Sequence, residues 1–149
     1  MAEKSSAGAR TRARELLLQA LYQKQIAGHD CAELKRQFHE QTAWQRVDQP
    51  FFDETLAQIC RDEAALSASI EGFIDRPLKQ LDPVEFGILQ IGVHELSERI
   101  DIPYRVVINE AVNLARRFGA EDGYKYINAC LDRAAHVFRP VETKAKGSG

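Results

Sequence analysis

The sequence predicts an all-α protein of six or seven helices. Apolar residues recur at three- and four-residue spacing through most of the chain, which is the period of an amphipathic helix. Asp or Pro stands where these segments begin, and Gly or Pro stands where they end. The β-branched run 106–108 alone would suit a strand, but the residues after it keep the helical spacing. No segment is therefore predicted as a strand.

Three helices are predicted in the first half of the chain. The first spans residues 10–27 and ends at Gly28, because glycine commonly terminates a helix. The second follows Asp30, whose carboxylate can accept hydrogen bonds from the free amides of the first turn. The third lies within residues 50–77, and only Glu63 interrupts its apolar face. This pattern predicts one long helix with a buried face.

The second half of the chain begins with its clearest helix start. Asp82 can cap the first amides, Pro83 has no N–H to leave unpaired, and Glu85 stands at the carboxylate position of a capping box. The helix that follows is apolar over much of its circumference, which predicts a central position. Two further helices are predicted over residues 103–118 and 124–138, with a turn between them.

Length and composition predict a single globular domain, or two small lobes that share a core. The chain has 149 residues, of which 44% are hydrophobic. We expect one helical domain over residues 10–140, between small, polar and flexible segments at 1–9 and 141–149. No apolar run is long enough to span a membrane, and no secretory signal is recognisable. A cytoplasmic protein without membrane contacts is expected.

Side chains that carry catalysis or bind metals form no recognisable pattern. The chain has an odd number of cysteines, Cys31, Cys60 and Cys130, and they lie far apart in sequence. Free thiols in a reducing cytosol are therefore expected. The four histidines and the cysteines show no zinc-ligand spacing. Phosphate-binding loops, dinucleotide fingerprints and nucleophile elbows are also missing from the sequence. We therefore predict a protein that is not an enzyme and uses no metal or cofactor.

The overall charge restricts how this chain can bind nucleic acid. Its formal net charge is −2, and its pI is near 6.1. Proteins that bind nucleic acid through charge alone are usually basic overall. Any nucleic-acid site on this chain must therefore be local, or shared with a partner.

One local basic cluster opens the first helix. Arg10, Arg12 and Arg14 stand close together there, and the planar guanidinium of arginine pairs well with phosphate. Tyr22 lies two i,i+4 steps beyond Arg14, and unpaired RNA bases stack on such rings. A solvated helix end and a half-buried tyrosine would explain the same residues. Tyr126, with its neighbours in the last helix, forms a second aromatic and basic cluster that is equally open to both interpretations.

Four blocks of the chain, in order, resemble the NusB family of transcription antitermination factors. The most specific block is 101–112, and together the matches extend from about residue 10 to 140. The blocks are Arg12-Ala13-Arg14-Glu15 with Gln19-Ala20-Leu21-Tyr22-Gln23, then Leu81-Asp82-Pro83-Val84-Glu85 with Ile88-Leu89-Gln90-Ile91 and Glu95-Leu96, then Asp101-Ile102-Pro103-Tyr104-Arg105-Val106-Val107-Ile108-Asn109-Glu110-Ala111-Val112, and then Phe118-Gly119-Ala120-Glu121-Asp122-Gly123-Tyr124-Lys125-Tyr126-Ile127-Asn128 with Leu131-Asp132.

The resemblance implies both an architecture and a function. It implies two packed helical subdomains, and a factor that binds the boxA element of nascent RNA together with NusE, a ribosomal protein. In the family, this complex joins other Nus factors on RNA polymerase and suppresses premature termination in ribosomal RNA operons. The positions that the resemblance assigns to RNA are Arg10, Arg12, Arg14, Tyr22, Glu85, Phe118, Asp122 and Tyr126.

Two departures and two alternatives accompany this interpretation. Tyr126 replaces the more usual Phe, which keeps a stacking ring and adds a hydroxyl, and Ala129 replaces a usual Gly. A protein–protein adaptor with solvated arginines would also fit the helical pattern. So would an RNA-positioning module like the helical domain that the family fuses to ribosomal RNA cytosine methyltransferases. The residues alone do not distinguish a monomer from a dimer.

Overall fold

The structure, a computed structural model, describes the backbone of residues 2–148 and the side chains of residues 8–145. Within this described part there are eight α-helices, two short 3-10 helices and no strand, so the all-α prediction is confirmed. The α-helices are α1 (Ala2–Ala27), α2 (Cys31–His39), α3 (Gln49–Arg61), α4 (Glu63–Glu71), α5 (Pro83–Glu98), α6 (Tyr104–Phe118), α7 (Gly123–Phe138) and α8 (Pro140–Ser148), and the 3-10 helices are Thr42–Arg46 and Leu78–Gln80.

The helices form two compact units, the first ending at Glu63 and the second beginning at Ala64. In the first unit, α1 packs against α2 and α3, and α2 packs against α3. Phe38 and Phe52 are almost wholly buried there, with ring centroids 6.0 Å apart. The Thr42–Arg46 segment, which the periodicity does not place, buries Trp44 edge-on against Phe52 at 5.2 Å.

Helix α5 is the centre of the second unit, as its apolar circumference predicts. It packs against both α6 and α7, and every residue from 87 to 96 is buried. Its start carries the predicted capping box. The Asp82 side chain accepts backbone N–H groups of the first turn, and the Glu85 side chain accepts the Asp82 N–H. Gly92 lets α7 approach closely, because a Cβ at this position would lie only 2.8 Å from the Cδ1 atom of Leu131.

The structure differs from the predicted elements at one helix and at both ends. The helix predicted within residues 50–77 is interrupted at Asp62, where the charged Glu63 leaves the apolar face and pairs with Lys24 at 2.7 Å. The backbone of α1 begins at Ala2, although the side chains before residue 8 lie outside the described part. The sequence pattern does not predict α8, and its Glu142 accepts a hydrogen bond from the Tyr104 N–H at 3.1 Å.

The cysteines also differ from expectation. A disulfide joins Cys31 and Cys60, so the prediction that all three thiols are free is wrong for this pair. Their Cα atoms are 6.4 Å apart, although 29 positions separate them along the chain. Sequence distance hid this proximity, because packing α2 against α3 brings the two residues together. Cys130 is a free thiol and is buried.

Candidate nucleic-acid interface

The exposed arginines of α1 are held by contacts within the first unit. The Arg10 Nε lies 3.3 Å from the Asp48 carboxylate, with about a third of the Arg10 side chain exposed. The Arg12 Nε donates to the Arg46 carbonyl at 2.9 Å, and Arg12 is exposed. Both guanidinium groups are therefore oriented before any ligand arrives, and each keeps donors beyond the one used in these contacts.

Arg14 has a different environment from its two neighbours. Only 3% of its surface is exposed, and its guanidinium carbon lies 5.0 Å from the centroid of the Phe51 ring. Arg10 lies 4.8 Å from the same ring, so the two arginines share one aromatic partner. Stacking on an aromatic face suits the weakly hydrated guanidinium. The structure thus places Arg14 in the interior, where it supports the exposed end of α1.

Tyr22, also on α1, presents an accessible ring. It is 43% exposed, which makes it one of the large hydrophobic side chains that the described residues leave in solvent. It stands ten residues after Arg12, about 15 Å along the helix axis at the usual rise per residue. Its ring is therefore partly accessible and partly covered, which fits both interpretations that the sequence allows for this tyrosine. Gln23, beside it, bonds to Gln37 at 2.6 Å and ties this part of α1 to α2.

The second unit carries its predicted residues around the start of α7. Asp122 precedes this helix with a φ of 68°, in the left-handed region, and Gly123 is buried next to it. The Glu85 Oε2 atom would lie 3.6 Å from a Cβ on Gly123, so this carboxylate borders the helix start. Its other oxygen accepts the Asp82 N–H at 3.3 Å. Glu85 and Asp122 therefore approach the same helix terminus.

Tyr126 is the best-defined aromatic residue of this unit. The Arg76 guanidinium carbon lies 4.1 Å from its ring centroid, and the Asp75 N–H donates to its hydroxyl at 3.5 Å. Burial raises the pKa of Tyr126 to about 12, so its hydroxyl stays protonated near neutral pH. The hydrogen bond to Asp75 raises the pKa of Arg76, whose Nε lies 2.9 Å from that carboxylate. The result is a planar cation stacked on a neutral ring.

Two further ring–guanidinium pairs lie in the same unit. Arg116 lies 4.4 Å from the ring centroid of Tyr124, and Arg117 lies 5.3 Å from that of Phe118. Phe118 is 39% exposed, and both arginines are exposed. The sequence offered a hint for these two arginines, because they directly precede Phe118. It offered none for Arg76, which stands fifty positions before Tyr126 and meets it only through the fold.

The described residues contain no candidate membrane-spanning helix and no candidate metal-binding group. No helix that the structure describes is both long and apolar enough to cross a bilayer. Within that same part of the chain, no group of three or more His, Cys, Asp or Glu side chains is arranged to hold a metal ion.

Comparison with known proteins decides the family. The model of the NusB family matches residues 11–136, which is most of the chain. The chain belongs to the NusB family. The family predicted from the four sequence blocks is therefore confirmed, and the family match covers both structural units.

Individual relatives agree with the family match. The transcription antitermination protein NusB of Paraburkholderia phymatum is 45% identical over 137 residues, which cover 92% of this chain and 94% of the relative. The protein of the same name from Marinobacter nauticus is 40% identical over 140 residues, covering 94% of this chain and 89% of the relative. Both relatives are named as transcription antitermination proteins and not as enzymes, which confirms the prediction of a non-enzymatic protein.

A solved structure shares the architecture. The NusB structure from T. maritima matches with a TM-score of 0.72 and 24% identity, covering 94% of this chain and 97% of that one. At this identity the likeness shows the fold, and the fold is the NusB one that the sequence predicted.

Proposed function

We propose that this chain binds boxA-type single-stranded RNA together with NusE and, with other Nus factors on RNA polymerase, suppresses premature termination in ribosomal RNA operons. Membership of the NusB family supports a role in transcription antitermination. The observation that carries the RNA contact is the stack of Arg76 on Tyr126, 4.1 Å apart, with Asp75 fixing the orientation of both. Such a pre-oriented plane of ring and guanidinium is what unpaired bases stack upon. The proposed location is the cytoplasm, where nascent RNA is made.

The arginines of α1 divide into two roles in this proposal. Arg10 and Arg12 contact phosphates, because both have accessible donors and held side chains. The Asp48 carboxylate already neutralises part of the Arg10 charge, which reduces the net gain from a phosphate contact. Arg14 acts as a positioning residue, because its guanidinium is buried over Phe51. Tyr22 supplies an exposed ring for a base farther along the same helix.

The residues of the second unit read bases by stacking and by polar contacts. Tyr126 and Phe118 each offer an aromatic ring already paired with an arginine. The exposed carboxylate of Asp122 can accept hydrogen bonds from base amino groups or from a ribose hydroxyl. Glu85 can do the same with the oxygen that its capping box does not use. These contacts favour unpaired RNA, whose base edges and hydroxyls are accessible.

The charge of the chain supports a shared site. With a net charge of −2, the protein has little long-range attraction for RNA. A basic ribosomal protein beside it would complete the positive surface. Affinity for boxA RNA should therefore rise when NusE is present.

Titration of labelled boxA RNA with the protein, alone and with NusE, tests the proposal. Tyr126→Ala should weaken binding about 5- to 150-fold, the usual value of one stacked base. Arg12→Ala should weaken it less, and should lower the slope of log affinity against log salt by about 0.7. Arg61→Ala is the matched control, since Arg61 is 69% exposed and lies outside both clusters.

Each result has a definite meaning for the proposal. Equal RNA affinity with and without NusE would reject the shared site. Wild-type RNA affinity in both Tyr126→Ala and Arg12→Ala would reject the assigned contacts. Binding to NusE without any RNA binding would favour the protein–protein adaptor over the RNA-binding factor.

A further inference from the structure

Cys31 and Cys60 occupy the ends of two adjacent helices. Cys31 is the first residue of α2, and Cys60 is the last but one of α3. Their Cα atoms are 6.4 Å apart, within the range that a disulfide spans without backbone movement. Both residues are partly exposed, so a small thiol reagent can reach them. The bond connects helices that also meet through packing and through a 2.7 Å contact between His39 Nε2 and Asp53 Oδ1.

We propose that Cys31 and Cys60 are a reversible thiol–disulfide pair that fixes α2 to α3 under oxidising conditions. The oxidant is a small disulfide such as glutathione disulfide. One cysteine thiolate attacks it, forming a mixed disulfide and releasing one glutathione. The second cysteine thiolate then displaces the other glutathione, so that two protein thiols and one glutathione disulfide give one protein disulfide and two glutathione molecules.

The reduced protein should remain folded, which makes the pair reversible. Leu34 and Phe38 of α2 are buried in the first unit independently of the bond. In the same unit, Lys24 of α1 pairs at 2.7 Å with Glu63, which lies two residues after the end of α3. The disulfide therefore adds to an existing non-covalent packing and does not replace it.

Cys130 provides an internal comparison. It is fully buried in α7, and burial raises the pKa of its thiol. A buried, protonated thiol reacts slowly with small disulfides. Redox chemistry should therefore be confined to Cys31 and Cys60 as long as the protein is folded.

The bond affects the unit that carries α1. Both α2 and α3 pack directly against α1, the helix that holds Arg12 and Tyr22. Oxidation should thus stabilise the scaffold of these residues without contacting them. This inference stands independently of RNA binding, because it concerns the stability of the first unit alone.

Equilibration of the full chain in glutathione buffers of varied ratio tests the pair. After alkylation and peptide mapping, Cys31 and Cys60 should lose alkylation together as the disulfide fraction rises, while a linked peptide appears. In urea, the fluorescence of Trp44, which is buried in the same unit, should show a midpoint about 1–3 M higher for the oxidised protein. Cys31→Ser should abolish this shift.

A control variant and two outcomes complete the design. Cys130→Ala should keep the difference between its oxidised and reduced forms, whatever its own stability. Alkylation of Cys31 and Cys60 at every glutathione ratio would overturn the proposal. A linkage of either residue to Cys130 would overturn it as well.

Discussion

The replacement of Arg139 by alanine tests how the second unit is held together. Arg139 follows α7, and only 2% of its surface is exposed. Its guanidinium donates to the carbonyls of Leu96 and Arg99, each at 2.8 Å, and to that of Glu95 at 3.2 Å. It also donates to Glu142 on α8. One cation therefore donates to two carbonyls in the last turn of α5 and to the carbonyl of the residue that follows this helix.

The cost of the substitution follows from these contacts. The Leu96 carbonyl would lose a charge-assisted hydrogen bond, worth about 1.5–3 kcal/mol. The carbonyls of Glu95 and Arg99 would each lose less, about 0.5–1.5 kcal/mol. The N–H groups of Arg99 and Ile102 still donate to them, each at 3.0 Å. The side chain of Glu142 is 37% exposed and can be hydrated, so the loss of its contact with Arg139 adds little to the cost. We expect Arg139→Ala to reduce the free energy of unfolding of this unit by about 3–5 kcal/mol.

Native-state hydrogen exchange of α5 and α7 is the appropriate assay. Trp44 lies in the first unit, so its fluorescence does not report directly on α5 or α7. Amides of these helices that exchange through unfolding of the unit should exchange faster by about two to three and a half orders of magnitude. Arg139→Lys keeps the charge but loses the forked donors, and should fall between the wild type and Arg139→Ala.

The control for this experiment is an arginine of the same kind in solvent. Arg61 is 69% exposed and pairs only loosely with Asp62, at 3.4 Å. Arg61→Ala should change stability by less than about 0.5 kcal/mol. If the free energy of unfolding of Arg139→Ala lies within about 1 kcal/mol of the wild-type value, the proposed role of Arg139 in holding these carbonyls is refuted.

Further predictions concern packing, pH and the disulfide. Gly92→Ala should cost about 1–3 kcal/mol, because the added methyl would meet the fully buried Leu131, and faster exchange in α5 would show it. The pKa of Tyr126 is raised to about 12 by burial, above about 10 in the unfolded chain. Its contribution to stability is therefore complete below about pH 10 and lost as the pH rises to about 12. The difference in tyrosinate absorbance between the wild type and Tyr126→Phe should show this late titration. A midpoint near pH 10 would contradict the prediction. The Cys31–Cys60 bond should contribute about 3.5 kcal/mol from the loop it closes, and equal stability of the oxidised and reduced forms would contradict that value.

Local patterns predicted the parts of the fold that depend on local chemistry. The capping box of Asp82 and Glu85 was predicted because both partners lie within four residues. The central position of α5 was predicted because a helix that is apolar on most sides must be covered on most sides. The break at Asp62 was not predicted, since the apolar spacing continues across it. The break instead accompanies a long-range contact, the ion pair between Glu63 and Lys24 of α1.

The site divides in the same way. Arg12 and Tyr22 could be selected from sequence because they stand on one helix at recognisable spacing. The partner of Tyr126 could not, because Arg76 precedes α5 and reaches the ring only when that unit is folded. The burial of Arg14 was equally hidden, since it depends on Phe51 of α3 packing against α1. Long-range contacts thus separate exposed from supporting residues that look alike in sequence.

The arginine contacts give a physical reason for the proposed sharing of the RNA site with a basic partner. Arg10 is paired with Asp48 and Arg76 with Asp75, so each carboxylate neutralises the cation that it orients. A phosphate must compete with that carboxylate, which lowers the net gain from each contact and the affinity of the isolated protein. The stacked ring of Tyr126 loses nothing by this competition, because its attraction for a base does not depend on net charge. Orientation is thus supplied by this chain, and a basic partner would have to supply the remaining charge.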